Sequence, residues 1–216
     1  MFVTVEGADG VGKATQVARL HAHLARCRAE QAIRVFSFPR YATPVGKAIL
    51  RHLRREIAVV EAGATAPEDA LAFQCMMATD KYDAAPEIEA ALLDGGIVIC
   101  DRWWQSALAY GRSDGLDEAW LERIHDHLPQ PDLNILLEVT QFETTRRRPV
   151  PRDRYEAAQA QQAAVRVNYR ALWEAHAADV ESRWTIVDGE GAEDVVHARV
   201  WDQVLHTWPF LERSTP

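Results

Sequence analysis

The first residues, MFVTVEGADGVGKATQ, constrain the fold more than any other stretch of the chain. Phe2-Val3-Thr4-Val5 is a β-branched and aromatic run with the makeup of a buried strand. Gly7-Ala8-Asp9-Gly10-Val11-Gly12-Lys13 then sets three glycines and a lysine side by side, and Val17, Leu20 and Leu24 follow at helical spacing. Strand, glycine loop, lysine and helix in this order make a phosphate-cradling P-loop. Glycines let backbone N–H groups turn inward around an anion, and the helix N-terminus adds its positive dipole end. Lys13 supplies a point charge for terminal phosphates. The anion-binding stretch is Gly7, Ala8, Asp9, Gly10, Val11, Gly12, Lys13, Ala14 and Thr15. Ala14 stands where the strict pattern has Ser or Thr. Thr15 is turned from that position by about 100° and does not simply replace the missing magnesium ligand. A glycine-rich turn that binds nothing is the alternative, and the flanking strand and helix weigh against it.

At 216 residues the chain is expected to form one domain, 1–216, with a sizeable core. Its net charge of −8 argues against a nucleic-acid-coating role, so local positive charge stands out. Cys27, Cys75 and Cys100 are widely spaced in apolar stretches, which suits buried reduced thiols of a cytoplasmic protein. Nothing resembles a signal peptide and no apolar run reaches membrane-spanning length.

Five apolar runs alternate with helical patterns: Phe2–Val5, Ile33–Phe38, Ile97–Cys100, Leu133–Glu138 and Trp184–Val187. This alternation predicts an α/β fold, a five-stranded parallel sheet flanked by helices on both faces. The helices expected are Gly12–Ala29, Val45–Arg55, Pro67–Tyr82 with a Leu71, Cys75, Ala78 stripe, a separate one opened by Pro86, an aromatic-rich one after Arg102, Asp117–Leu128, Tyr155–Ala178 and Ala192–Leu211.

Asp101-Arg102 closes an apolar strand at the edge where open α/β sheets bind ligands. Asp101 can hold magnesium through water and Arg102 can bridge phosphates; alone the pair could equally be a surface salt bridge, but beside a P-loop the functional reading prevails. Five arginines lie between Arg146 and Arg154, in a stretch that two prolines make a loop. Phosphoryl transfer needs its developing charge neutralised, so a mobile lid at about 144–155, carrying Arg146, Arg147, Arg148 and Arg152, is favoured over a solvated loop. Arg40 after the second strand is a candidate phosphate clamp or, as readily, an exposed loop arginine. Trp103 and Trp104 suit core packing better than base stacking. His125 and His127 lack ligand spacing and receive no role.

Taken together, the segments Glu6–Gln16, Phe38-Pro39-Arg40-Tyr41, Asp101-Arg102 with Ser106 and Ala109-Tyr110, Leu128–Asp132 and Asp153-Arg154-Tyr155-Glu156 resemble the thymidylate kinase family of P-loop nucleoside-monophosphate kinases. The resemblance spans nearly the whole chain. It implies ATP and Mg²⁺ as cofactors, a deoxynucleoside monophosphate as substrate with dTMP foremost, and a homodimer. It places Asp9 near the acceptor's 3′-hydroxyl and the metal, Arg40 and Arg102 on the acceptor phosphate, and Phe38, Tyr41, Ser106 and Tyr155 in the acceptor site. Tyr110 would crowd the sugar 2′ position. With Gly10 in the P-loop, the chain resembles members whose catalytic arginine sits in the lid. It departs from the family where the base binds: Met77 and Lys81 replace an aromatic and an arginine, and Ala107 replaces a common polar residue. Relaxed or altered base preference, such as dGMP, is therefore the alternative. A non-catalytic nucleotide-binding regulator, suggested by Ala14, is the more distant one.

Overall fold

The computed structural model describes residues 1–61, 65–147, 159–177 and 183–214. Among them the strands are β1 (Phe2–Glu6), β2 (Ile33–Ser37), β3 (Ile97–Asp101), β4 (Leu133–Glu138) and β5 (Arg183–Asp188). They form one parallel sheet in the order β2-β3-β1-β4-β5. β1 and the first residues of β3 and β4 are buried, as near-continuous apolar runs require when helices cover both faces. Edge strands β2 and β5 are more exposed. The register sets Val5 beside Asp101 and Glu6 beside Leu136, so Gly7, Arg102 and Val139 emerge at one edge. The connection after β1 runs to β2 on one side of it, and the connection after β3 crosses to β4 on the other, a reversal that opens a crevice at the carboxyl ends.

The helices are α1 (Lys13–Cys27), α2 (Pro44–Leu53), α3 (Ala66–Leu93), α4 (Trp104–Ser113), α5 (Glu118–Arg123), α6 (Gln141–Arg147), α7 (Gln159–His176) and α8 (Glu193–Thr207), followed by a 3₁₀ segment, Pro209–Ser214. α1 buries Val17, Leu20 and Leu24 as their spacing predicts. No helix among the described residues is long and apolar enough to cross a membrane.

Several expectations need correction. Pro86 lies inside α3, which is one helix and not two. Proline there forfeits the bond to the Tyr82 carbonyl, at about 3 kcal/mol. Burial of Ala84, Ala85 and Ile88 against Phe2, Val98 and Trp103 outweighs it, Ile88 alone contributing about 1.5–3 kcal/mol. Of the expected stripe of α3 only Ala78 is buried. Leu71 and Cys75 are exposed, while Phe73, Gln74, Ala78, Lys81 and Ile88 are buried. Gln74 and Lys81 make the true stripe look polar, so hydropathy selects its neighbour. Of the three cysteines only Cys100 is buried; Cys27 is partly covered. α5 ends well before Leu128, and its N-terminus is capped by the Asp117 carboxylate, which accepts from the Trp120 N–H (2.8 Å). α8 stops at Thr207, because Pro209 disfavours helix at Trp208. Trp103 is fully buried, packs on Phe2 and Phe38, and donates its indole N–H to the Pro129 carbonyl (3.0 Å).

Candidate active site

The loop after β1 is built around glycine. A Cβ on Gly7, at φ 136°, would sit 2.5 Å from the Leu137 carbonyl oxygen. Gly12 caps α1 at φ 101° with no side-chain hydrogen bond, and the first backbone bond into the helix runs from the Gln16 N–H to the Gly12 carbonyl (3.1 Å). Earlier N–H groups of that turn have no acceptor among the described residues, the arrangement that receives a phosphate. The Lys13 ammonium donates to the carbonyls of Gly7 (3.0 Å) and Ala8 (2.7 Å). Burial, assisted by the charge of Arg102, lowers its pKa to about 8, against the pull of Asp101, Asp9 and Glu6.

Asp9 and Arg102 join this loop to the sheet edge. Arg102 turns at φ 68°, unusual for a side-chain-bearing residue. Its guanidinium donates to Asp9 Oδ1 (2.5 Å), the Gly7 carbonyl (3.0 Å), and the hydroxyls of Tyr110 and Tyr169 (3.1 Å each). The other Asp9 oxygen accepts from Tyr110 (2.7 Å) and Gln162 Nε2 (2.8 Å). Burial pulls the Asp9 carboxyl upward, but Arg102, Lys13, Tyr110 and Gln162 outweigh it and hold the pKa at about 2.

Beneath them lies a group with no role in the sequence reading. Glu6 is wholly buried and accepts from the Trp103 N–H (2.6 Å), Ser106 Oγ (2.6 Å) and the Tyr169 hydroxyl (2.8 Å). Burial raises its pKa, against these bonds and Arg102. Glu6 thereby ties β1, α4 and α7 together under Arg102. Its only sequence signal was an acid ending an apolar strand. Gln162 and Tyr169 gave none, because their partners lie far away in the chain.

Two hollows flank the Asp9–Arg102 pair and the loop. One, of about 80 Å³, lies between α3 and α4, with Asp9, Arg102, Ser106, Ala107 and Tyr110 on one wall and Pro39, Tyr41, Gln74 and Met77 on the other. The structure thus brings most of the expected acceptor residues together. Phe38 is instead buried against Trp103, and Lys81 is buried outside the wall, donating to the Met77 carbonyl (3.0 Å). Burial lowers the Lys81 pKa to about 8 despite Asp80 and Glu6. Arg40 is fixed by Asp80, bonded through its backbone N–H (2.8 Å) and Nε (3.0 Å), and by Asp83 (2.6 Å). Its Nη1 has no partner among the described residues.

The second hollow, of about 200 Å³, runs over Gly12 and Thr15 toward Gly189 and Gly191. Arg147 closes one side, donating to Glu143 (2.7 Å) and to the carbonyls of Val11 (3.2 Å) and Gly189 (2.9 Å). Arg146 is exposed and, among the described residues, binds only Glu143 (2.7 Å). Glu143, which the sequence did not single out, is held at about 2 by its bonds to these two arginines. Arg148, Arg152 and Tyr155 lie outside the described residues.

Ala14 faces away from Thr15. It lines a surface groove with Asp101, whose carboxylate has no hydrogen-bond partner among the described residues, whereas Thr15 lines the donor-side hollow. No cluster of three or more His, Cys, Asp or Glu suited to a metal occurs among the described residues. One free carboxylate beside a phosphate loop fits Mg²⁺ held mainly by phosphates and water.

A family model described as thymidylate kinase matches residues 5–200. A thymidylate kinase of Thermomicrobium roseum is 35% identical, over 99% of this chain and 98% of its own. One from Chromohalobacter salexigens is 32% identical over 92% of each chain. The solved thymidylate kinase of Candida albicans shares the fold with a TM-score of 0.71, at 24% identity, over 95% of this chain and 90% of its own.

Proposed function

Because the chain belongs to the thymidylate kinase family, an enzyme family of P-loop phosphotransferases acting on nucleoside monophosphates, we propose that it passes the γ-phosphoryl group of ATP to a deoxynucleoside monophosphate, with dTMP the leading acceptor. The observation that carries this reading is the link between the phosphate loop and the smaller hollow. Asp9 and Arg102 border that hollow while Arg102 also bonds the P-loop carbonyl of Gly7, so one guanidinium joins the acceptor side to the loop that would hold the donor phosphates. Lys13, exchanging its loop carbonyls for phosphate oxygens, would neutralise the donor. Arg40, pre-set by Asp80 and with Nη1 to spare, would hold the acceptor phosphate. Arg146, with Arg148 and Arg152, would add charge at the transferring group.

Kinases of this family generally use ATP with Mg²⁺, which supplies charge neutralisation between phosphates. Asp101, and Asp9 through water, are the residues that would hold it. The tyrosine ring of Tyr110 against Arg102 and Asp9 supports crowding at a sugar 2′ position, hence a deoxyribose acceptor. The reading comprises a single domain, a homodimer and a cytoplasmic setting.

Ala107 and Met77 in the acceptor wall favour discrimination among bases weaker than a fully paired site allows. The Candida albicans thymidylate kinase is itself described as having broad substrate specificity. ADP release from ATP and Mg²⁺ with dTMP, dUMP, dGMP and dAMP in turn tests both parts. Turnover with dTMP and at least one other acceptor is expected. A dTMP preference beyond about 10⁴-fold over all others contradicts the relaxed site.

A further inference from the structure

The wall of the acceptor hollow contains a buried polar atom that has no hydrogen-bond partner among the described residues. Gln74, on α3, is only 1% exposed, and its side-chain oxygen Oε1 is buried with no hydrogen-bond partner among the described residues. It borders the same hollow as Ala107 on α4, whose methyl can pair with nothing, and Met77, one turn along α3. A buried carbonyl oxygen without a donor is costly, and native structures retain such an atom where a ligand or water completes it. Phe73 and Leu53 line the hollow beside it, and Tyr41, Arg102, Ser106 and Tyr110, which also line it, make no hydrogen bond to this oxygen among the described residues.

Resting on the deoxynucleoside-monophosphate reading above, we propose that Gln74 is the base-reading residue of this enzyme, and that it selects bases with a lactam edge. In such a base an N–H lies beside a C=O: N3–H and O4 in thymine and uracil, N1–H and O6 in guanine. Gln74 Oε1 accepts the ring N–H while Nε2 donates to the neighbouring carbonyl, a two-bond match of donor to acceptor and acceptor to donor. Cytosine and adenine present an amino group beside an unprotonated ring nitrogen, the opposite order. The missing side chain at Ala107 is thus offset from the opposite wall, by a residue of the kind that the hydropathy of α3 marks as surface.

The test compares dUMP with dCMP, which have the same size and sugar and differ only at this edge. Specificity constants are measured for the full-length enzyme and for Gln74→Leu, with the KM for ATP and thermal unfolding alongside. The wild type should prefer dUMP by about 10- to 100-fold. Gln74→Leu should collapse that ratio to within about threefold, with the KM for ATP unchanged. Should Gln74→Leu fold poorly, Gln74→Glu serves instead: a carboxylate accepts but does not donate, so the ratio should move toward dCMP. A dUMP-to-dCMP ratio that both variants leave unaltered, even with lower turnover, assigns Gln74 to packing and overturns the proposal. A wild-type enzyme inactive on every deoxynucleoside monophosphate overturns the acceptor reading itself, a failure distinct from an active enzyme whose base choice ignores position 74.

Discussion

Replacing Asp9 with Asn should remove a pH-dependent share of the stability whose size follows from the site. The carboxyl is held at about 2 against an ordinary 3.8, with its side chain 23% exposed, so solvent screening takes only part of the effect. A folded-state value below the unfolded one stabilises the fold above the unfolded pKa, and that stability is lost as pH falls through the folded one. The pKa difference corresponds to roughly 2 kcal/mol at neutral pH. About half of that should survive at pH 3, and less than about 0.5 kcal/mol at pH 2. Urea unfolding of wild type and Asp9→Asn at several pH values measures the gap directly. The gap should be widest above about pH 5 and close as pH falls. A gap that stays constant between pH 6 and pH 2.5 would refute the reasoning, because it would make Asp9 a packing group and not a charge held by Arg102, Tyr110 and Gln162.

Lys13→Ala should abolish phosphoryl transfer while leaving the thermal transition in place, since among the described residues the ammonium hydrogen-bonds only to loop carbonyls; activity within a few-fold of wild type would contradict the P-loop assignment. Arg147→Gln should raise the KM for ATP, because it cuts the bonds from Arg147 to Val11 and Gly189 that frame the donor side, whereas Arg146→Gln should lower turnover with little change in KM. Pro86→Ala should raise the melting temperature by at least about 2 °C, since Pro86 is exposed and its replacement restores the bond to the Tyr82 carbonyl; calorimetry reads it.

The parts of the fold that were legible in the sequence are those held by local pattern. β1, the glycine loop and α1 announce themselves because each obeys one period and one turn chemistry, and the sheet follows from five runs of the right length. α3 was misread for a physical reason: its inward face contains Gln74 and Lys81, and Pro86 lies on its outer side, so polarity and proline both pointed away from one continuous buried helix. Within the site, Lys13, Asp9 and Arg102 were legible because the loop and the strand end fix their places. Glu6, Gln162 and Tyr169 were not. Their importance lies in contacts across the sheet edge, such as Tyr169 to Glu6 (2.8 Å), which no spacing in one sequence encodes. Glu143 was hidden by its arginines, since a charge run draws the eye to the majority sign.

The most direct measurement follows the transferred group itself. ATP labelled in its γ-phosphate is incubated with Mg²⁺ and dTMP, and the products are separated. A site joined through Arg102 predicts label in dTDP, in an amount equal to the ADP formed, and none in inorganic phosphate beyond the acceptor-free background. Tight ATP binding with no labelled diphosphate from dTMP, dUMP, dGMP or dAMP would contradict it and leave the chain a nucleotide-binding regulator.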